Sequence, residues 1–235
     1  MIKEAIEYIV GLGNTRVVDI GLQTYSTEKM HLIEDPTPAP LAVHSLSGLV
    51  DYISSKFDGS QQVMIHVKSP TRVECFSTYN SDMKRDHFIT AEAMLPTFTF
   101  DRYYDSENFN IKLQSVFVQN EDRDIMLKVV GNIQEENVRT VGDDGVSQAI
   151  QAKVGVATVS MVEVPNPVSL QPYRTFVEVD QPESNFIFRM RKGPECALFE
   201  ADGGAWELVA MKNIKEYFAA ALEEEIEAGQ VVVIA

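Results

Sequence analysis

The chain has 235 residues, 20 basic against 35 acidic side chains and a formal net charge of −15, with 45% apolar and 23% charged residues. That length supports one large domain or two small ones with a substantial core, and the composition excludes a wholly disordered or collagen-like chain. Two cysteines, Cys75 and Cys196, are too few for a disulfide framework, no apolar run approaches the roughly 18 residues of a membrane span, and the acidic start does not read as a signal peptide.

In chain order, Ile2, Ala5, Ile6, Ile9 and Val10 fall at helical spacing, and Gly11 with Gly13 ends that helix. Val17 to Ile20 and Met30 to Ile33 read as strands, and Pro36, Pro38 and Pro40 as an extended connector. Leu46, Leu49, Val50, Ile53 and Phe57 predict an amphipathic helix capped by Ser45 and stopped at Asp58-Gly59. Val63, Ile65 and Val67 alternate in a strand, Arg72 to Tyr79 returns as its hairpin partner, and residues 88–95 add another strand.

Phe109, Leu113, Val116 and Phe117 fit a helix. Ile125, Met126, Val129, Val130 and Ile133 fit a second, whose first turn Asn120-Glu121-Asp122 has a capping composition. A strand from Ile125 to Val129 is the alternative, and the longer stripe favours helix. Beyond Asn137 the chain reads as sheet: Val138 to Val141 and Val146 to Val154 flank the turn Gly142-Asp143-Asp144-Gly145, and strands follow near 156–164, 168–171, 174–179 and 185–191. Gly203-Gly204 is read as a hairpin turn between Ala197-Leu198-Phe199 and Trp206-Glu207-Leu208-Val209. A last helix is predicted from Met211 to Ala228, then a strand over Val231 to Ile234. The expected class is α+β: a helix-containing first half, then a strand-rich, mainly antiparallel second half with a C-terminal helix. One domain over 1–235 is expected, with a possible subdivision near 135 into a helix-rich part, 1–134, and a strand-rich part, 135–235.

The chemistry is sparse. His31, His44, His66 and His87 are scattered with no zinc-site spacing, and His66 is expected on the polar side of its strand. Nothing in the sequence gives Cys75 or Cys196 the base or lowered pKa of a nucleophile. Gly11-Leu12-Gly13 follows a helix, unlike a dinucleotide loop. Asp143-Asp144 lacks the ligand spacing of a calcium loop. No catalytic residue, metal site or cofactor is therefore assigned. The one candidate ligand set is Arg174, Arg189 and Arg191 with Trp206, a guanidinium group able to hold a small anion beside a stacking ring. Ion pairing with nearby carboxylates, and core packing for Trp206, are the competing readings.

Several strings together resemble one family. They are Val43-His44-Ser45-Leu46 with Val50-Asp51-Tyr52-Ile53, and Asp143-Asp144-Gly145-Val146-Ser147-Gln148. The densest runs from Asn166-Pro167-Val168 through Pro172-Tyr173-Arg174-Thr175-Phe176, Glu178-Val179, Gln181-Pro182 and Ser184 to Phe188-Arg189, and Ala201-Asp202-Gly203-Gly204-Ala205-Trp206 extends it. From about residue 40 onwards the chain resembles the YfdQ-like proteins of bacteriophages and prophages. The resemblance implies an accessory product of temperate phages, and it carries over no catalytic residues.

The resulting expectation is a non-enzymatic phage or prophage accessory protein that binds protein partners as a homo-oligomer in the bacterial cytoplasm. Its acidic charge opposes tight non-specific binding to nucleic acid. Sequestration of a small anionic ligand such as a nucleotide is the alternative, and a metal-dependent hydrolase the second.

Overall fold

The computed structural model describes residues 2–21, 23–27, 37–131, 139–143, 148–153, 159–161, 164, 166–191, 193 and 195–235. Two compact units divide the chain, residues 1–38 and 39–235. Residue 135, the possible boundary expected from sequence, lies outside the described residues, as do Ile133 and the strand expected at Met30 to Ile33.

The first unit holds helix α1 (Ile2–Leu12) and an antiparallel hairpin of β1 (Val17–Ile20) and β2 (Gln23–Ser26), paired from Val17 with Ser26 to Ile20 with Gln23. Gly21, at a φ of 67°, takes the left-handed conformation that the tight connection needs.

The second unit runs β3 (Leu41–Val43), α2 (Leu46–Ser55), β4 (Val63–Ser69), β5 (Arg72–Tyr79), β6 (Arg85–Glu92), β7 (Tyr104–Asp105), α3 (Ser106–Val116) and α4 (Glu121–Gly131). It continues with β8 (Arg139–Asp143), β9 (Gln148–Lys153), β10 (Val159–Met161), β11 (Val168–Leu170), β12 (Ser184–Arg191), β13 (Glu195–Glu200), α5 (Ala205–Ala221), α6 (Glu223–Glu227) and β14 (Val231–Ile234). The class is α+β. The strands form sheets ordered β14-β4-β5-β6-β3, β11-β12-β13-β7 and β10-β9-β8. Pairing is antiparallel except at the two outer strands of the largest sheet, where β14 runs parallel to β4 and β3 parallel to β6. Residues 144–147 lie outside the described residues, and with them half of the turn expected at Gly142-Asp143-Asp144-Gly145, as does most of the strand expected at 156–164.

Alternation along β4, β5 and β6 puts Ile65, Val67, Val73, Cys75, Ile89 and Ala91 on one face of the five-stranded sheet, all buried. Helices α2 and α5 cover that face with Leu46, Leu49, Ile214 and Phe218. As expected, α2 begins at Ser45, whose Oγ accepts from Gly48 N at 3.0 Å. It stops at Lys56, in the left-handed conformation at a φ of 52°, two residues before the expected Asp58-Gly59. Glu178, distant in sequence, completes the helix start by accepting from Leu46 N at 2.6 Å and Ser47 N at 2.8 Å. His66 lies on the opposite, polar face, across from Glu74.

The second core lies between the four-stranded sheet and helices α3 and α4. Phe186, Phe188, Cys196 and Leu198 meet Phe109, Leu113, Met126 and Val129 there. Residues 121–131 are helical, and Asn120 Oδ1 accepts from Arg123 N at 2.8 Å beside an acidic first turn.

Four expected elements are corrected. Residues 174–179 form no strand; the backbone from Tyr173 to Glu183 is irregular and is organised by side chains instead. The strand expected at 88–95 spans Arg85–Glu92. Gly203-Gly204 turns no hairpin: Gly204, at a φ of 80°, stands at the N-terminus of α5, so Trp206 to Val209 are helical. The strand-prone Trp-Glu-Leu-Val string yields to a longer stripe, because Ala210, Ile214 and Phe218 bury one helix face against the sheet. The last helix therefore begins six residues earlier than Met211, and a break at Leu222 separates α6.

Candidate functional site

Arg174 stands on the irregular segment, and Gln181 gives that segment its shape. Gln181 Oε1 accepts from Arg174 N at 3.0 Å and Thr175 N at 3.3 Å, while Nε2 donates to Phe176 O at 2.9 Å and Val179 O at 3.1 Å. One buried amide thus satisfies four backbone groups that a strand would have paired with a neighbour. Thr175 Oγ1 donates to Pro70 O at 2.5 Å, fastening the segment to the β4–β5 turn.

The Arg174 side chain is only 8% exposed as a residue. Its Nη1 donates to Glu200 Oε1 at 2.8 Å and its Nη2 to Ser184 Oγ. Its guanidinium carbon sits 4.0 Å from the Trp206 ring centroid, 5.6 Å from Phe186 and 5.9 Å from Phe100. Glu200 and Phe186 are direct cross-strand partners on β13 and β12, which places both toward the arginine. Burial draws the guanidinium below its usual pKa, against the opposing pull of Glu200, Asp202 and Glu207. In this cluster Arg174 Nε and Asp202 Oδ2 are buried without a hydrogen-bond partner.

Of the four residues grouped from sequence, Arg174 and Trp206 do meet. Arg189 and Arg191 do not join them. Phe186, Phe188 and Met190 alternate into the core, so Arg189 and Arg191 occupy the other face of β12. There Arg191 Nε donates to Glu195 Oε2 at 2.5 Å and its guanidinium stacks 4.1 Å over Tyr103. Arg189, half-buried, donates from Nη1 to Phe188 O at 3.4 Å. Sequence reasoning missed Gln181, Ser184, Glu200 and Phe100 around Arg174, because their approach depends on strand register and a loop path that no local pattern encodes.

The remaining reactive groups are dispersed. His87 Nε2 lies 2.9 Å from Thr90 Oγ1 with its ring stacked on Phe76, and His44 Nδ1 lies 3.0 Å from Glu92 O. Among the described residues, no three His, Cys, Asp or Glu side chains come together to hold a metal ion. Asp144 and the Asp143 side chain lie outside the described residues. Burial pushes the Cys75 thiol up to about 12, and burial together with Asp105 does the same for Cys196. Those thiols stay protonated, the opposite of an activated nucleophile. A cleft between the end of α2 and α6, lined by Tyr52, Phe57, Asp58 and Glu225 among others, encloses about 30 Å³, space for one water.

Comparison with known protein families, with curated proteins and with solved structures finds no match.

Proposed function

We propose that this chain is a non-enzymatic accessory protein of the phage or prophage YfdQ-like type, binding protein partners as a homo-oligomer in the cytoplasm of a bacterial host. One observation carries the reading: the candidate chemical groups engage one another while large apolar side chains remain in water. Arg174 holds Glu200, Arg191 holds Glu195, and both thiols are buried. Ile2, Ile9, Ile20 and Leu208 are all more than half exposed. These exposed apolar side chains support contact with other proteins. A net charge of −15 further suits a basic protein partner and repels nucleic-acid phosphates.

Light scattering on the intact chain tests the assembly, with an expected mass at least twice the 26.3 kDa of one chain. A monodisperse monomer at micromolar concentration overturns it. Native mass spectrometry and turnover assays test the rest. A co-purified nucleotide or other anion replaces binding of proteins with ligand sequestration, and metal-dependent hydrolysis replaces the non-enzymatic reading.

A further inference from the structure

We propose that the N-terminal helix–hairpin unit is the surface through which copies of this chain join, α1 and the β1–β2 hairpin of one copy packing against those of a second. The proposal rests on the oligomeric reading above and assigns it to an element. Among residues 2–27 whose burial is described, none is buried and only Gly11 is half-buried. Ile2 is 79% exposed, Ile9 66% and Ile20 64%, with Ile6, Val10 and Val17 also open to water. An 11-residue helix and a two-stranded hairpin are each marginal alone in water, and their stability comes from burying an apolar face. On α1, Ile2, Ile6 and Ile9 recur at i, i+4 and i+7, the stripe of a helix made to pack.

Charge identifies the occupant. In a two-fold contact both copies bring the same patch, so a patch of strong net charge repels its own copy, whereas one close to neutral with both signs present can complement itself. Over residues 2–27 Lys3 and Arg16 face only Glu4, Glu7 and Asp19, although the whole chain carries −15. A concavity of about 480 Å³ between helix and hairpin is lined by Glu7, Tyr8, Gly11, Asn14, Arg16 and Thr27. It holds one cation and one anion, so a two-fold partner is able to present its Arg16 to Glu7 and its Glu7 to Arg16. A membrane surface is the weaker occupant, because an interfacial helix relies on a basic polar face and α1 has Lys3 against Glu4 and Glu7.

The test uses the full chain carrying Ile6→Glu and Ile9→Glu together, beside wild type, in sedimentation velocity at micromolar concentration. The expected result is a fall from the oligomer to the single-chain mass of 26.3 kDa, with the main thermal transition unchanged, since neither residue belongs to the two buried cores. A second variant, Ile9→Cys, reports independently of that folding question. A short bismaleimide should link two copies through the new thiol, because Cys75 and Cys196 are buried. If the double variant keeps the wild-type oligomer mass, or Ile9→Cys gives no linked dimer, this assignment falls and the oligomeric reading stands. A monomeric wild type ends both. Wild-type chain that pellets with phosphatidylcholine–phosphatidylglycerol vesicles, where the double variant does not, overturns the assignment in favour of a membrane.

Discussion

The Arg174 guanidinium lies 4.0 Å over the Trp206 ring, and this contact ties together the two hydrophobic cores of the larger unit. On one side Arg174 reaches Phe186, in the core of the four-stranded sheet, and Phe100, which packs against that core. On the other, Trp206 opens α5, whose Ile214 and Phe218 pack on the five-stranded sheet. Phe176, two residues beyond the arginine, is itself buried in that second core.

Arg174→Ala should therefore be a stability variant. It leaves Ser184 and Glu200 without their cation and opens space beneath Trp206, and breaking a buried ion pair costs about 3–5 kcal/mol; the half-exposed Glu200 places this one toward the lower end. Arg174→Lys should recover little, since an ammonium cannot reproduce the fork that meets Glu200 and Ser184 together. A double-mutant cycle with Trp206→Ala isolates the stacking, expected at about 0.5–2 kcal/mol. A variant that melts with wild type but has lost a bound anion would mean that Arg174 serves a ligand.

Gln181 makes a sharper case for side chains replacing a ladder. Gln181→Leu keeps the volume but strips hydrogen-bond partners from Arg174 N, Thr175 N, Phe176 O and Val179 O. Each buried backbone group left unpaired costs about 1–3 kcal/mol, so the loss should exceed that of a typical surface substitution several-fold. Urea unfolding should show a lower midpoint with an unchanged slope. A midpoint equal to wild type would show that water or a rearranged loop supplies the missing partners.

Local periodicity exposed what local forces decide. The stripe Leu46, Leu49, Val50 and Ile53 behind Ser45, and the acidic first turn before Met126 and Val129, gave α2 and α4 directly, and alternation gave the polar side of His66. Residues 174–179 read as a strand because Thr175, Phe176, Val177 and Val179 have strand propensity; their real partner is one glutamine amide further along the chain. Trp206 to Val209 misled for the related reason that tertiary burial of Ala210 and Ile214 outweighs local preference. The candidate site was half legible: Arg174 and Trp206 were named, whereas the opposite-facing Arg189 and Arg191 were grouped with them by proximity in sequence alone.

The two thiols give a clean solution readout. With Cys75 and Cys196 pushed up to about 12 by burial, Ellman's reagent should detect no thiol in the native protein near pH 8 and two after denaturation. The folded state holds these protons where the unfolded chain releases them. Stability is therefore retained below the ordinary thiol pKa of about 8.5 and declines as pH rises toward the folded values. Prompt reaction in native buffer would contradict the burial of either thiol.

Glu74 sets the opposite, acid-side dependence. Burial raises its carboxyl pKa, but hydrogen bonds and charge from Lys68 at 3.0 Å and Arg72 at 2.7 Å outweigh burial and leave it below the ordinary value of 4.5. The unfolded chain thus takes up the proton first as pH falls. The contribution of Glu74 is fully present above about pH 4.5 and is lost as pH drops through that value to the folded one. Glu74→Gln removes the ionisable group and leaves Lys68 and Arg72 facing a neutral amide, though Arg72 keeps Glu92 at 2.8 Å. The variant should be less stable than wild type at neutral pH, and the gap should narrow steadily on acidification. Denaturant midpoints for both proteins between about pH 3 and 7 measure the gap directly. Parallel curves across that range would mean that Glu74 has the same proton affinity folded and unfolded, and that its pairing on the polar face of the sheet contributes nothing to folding.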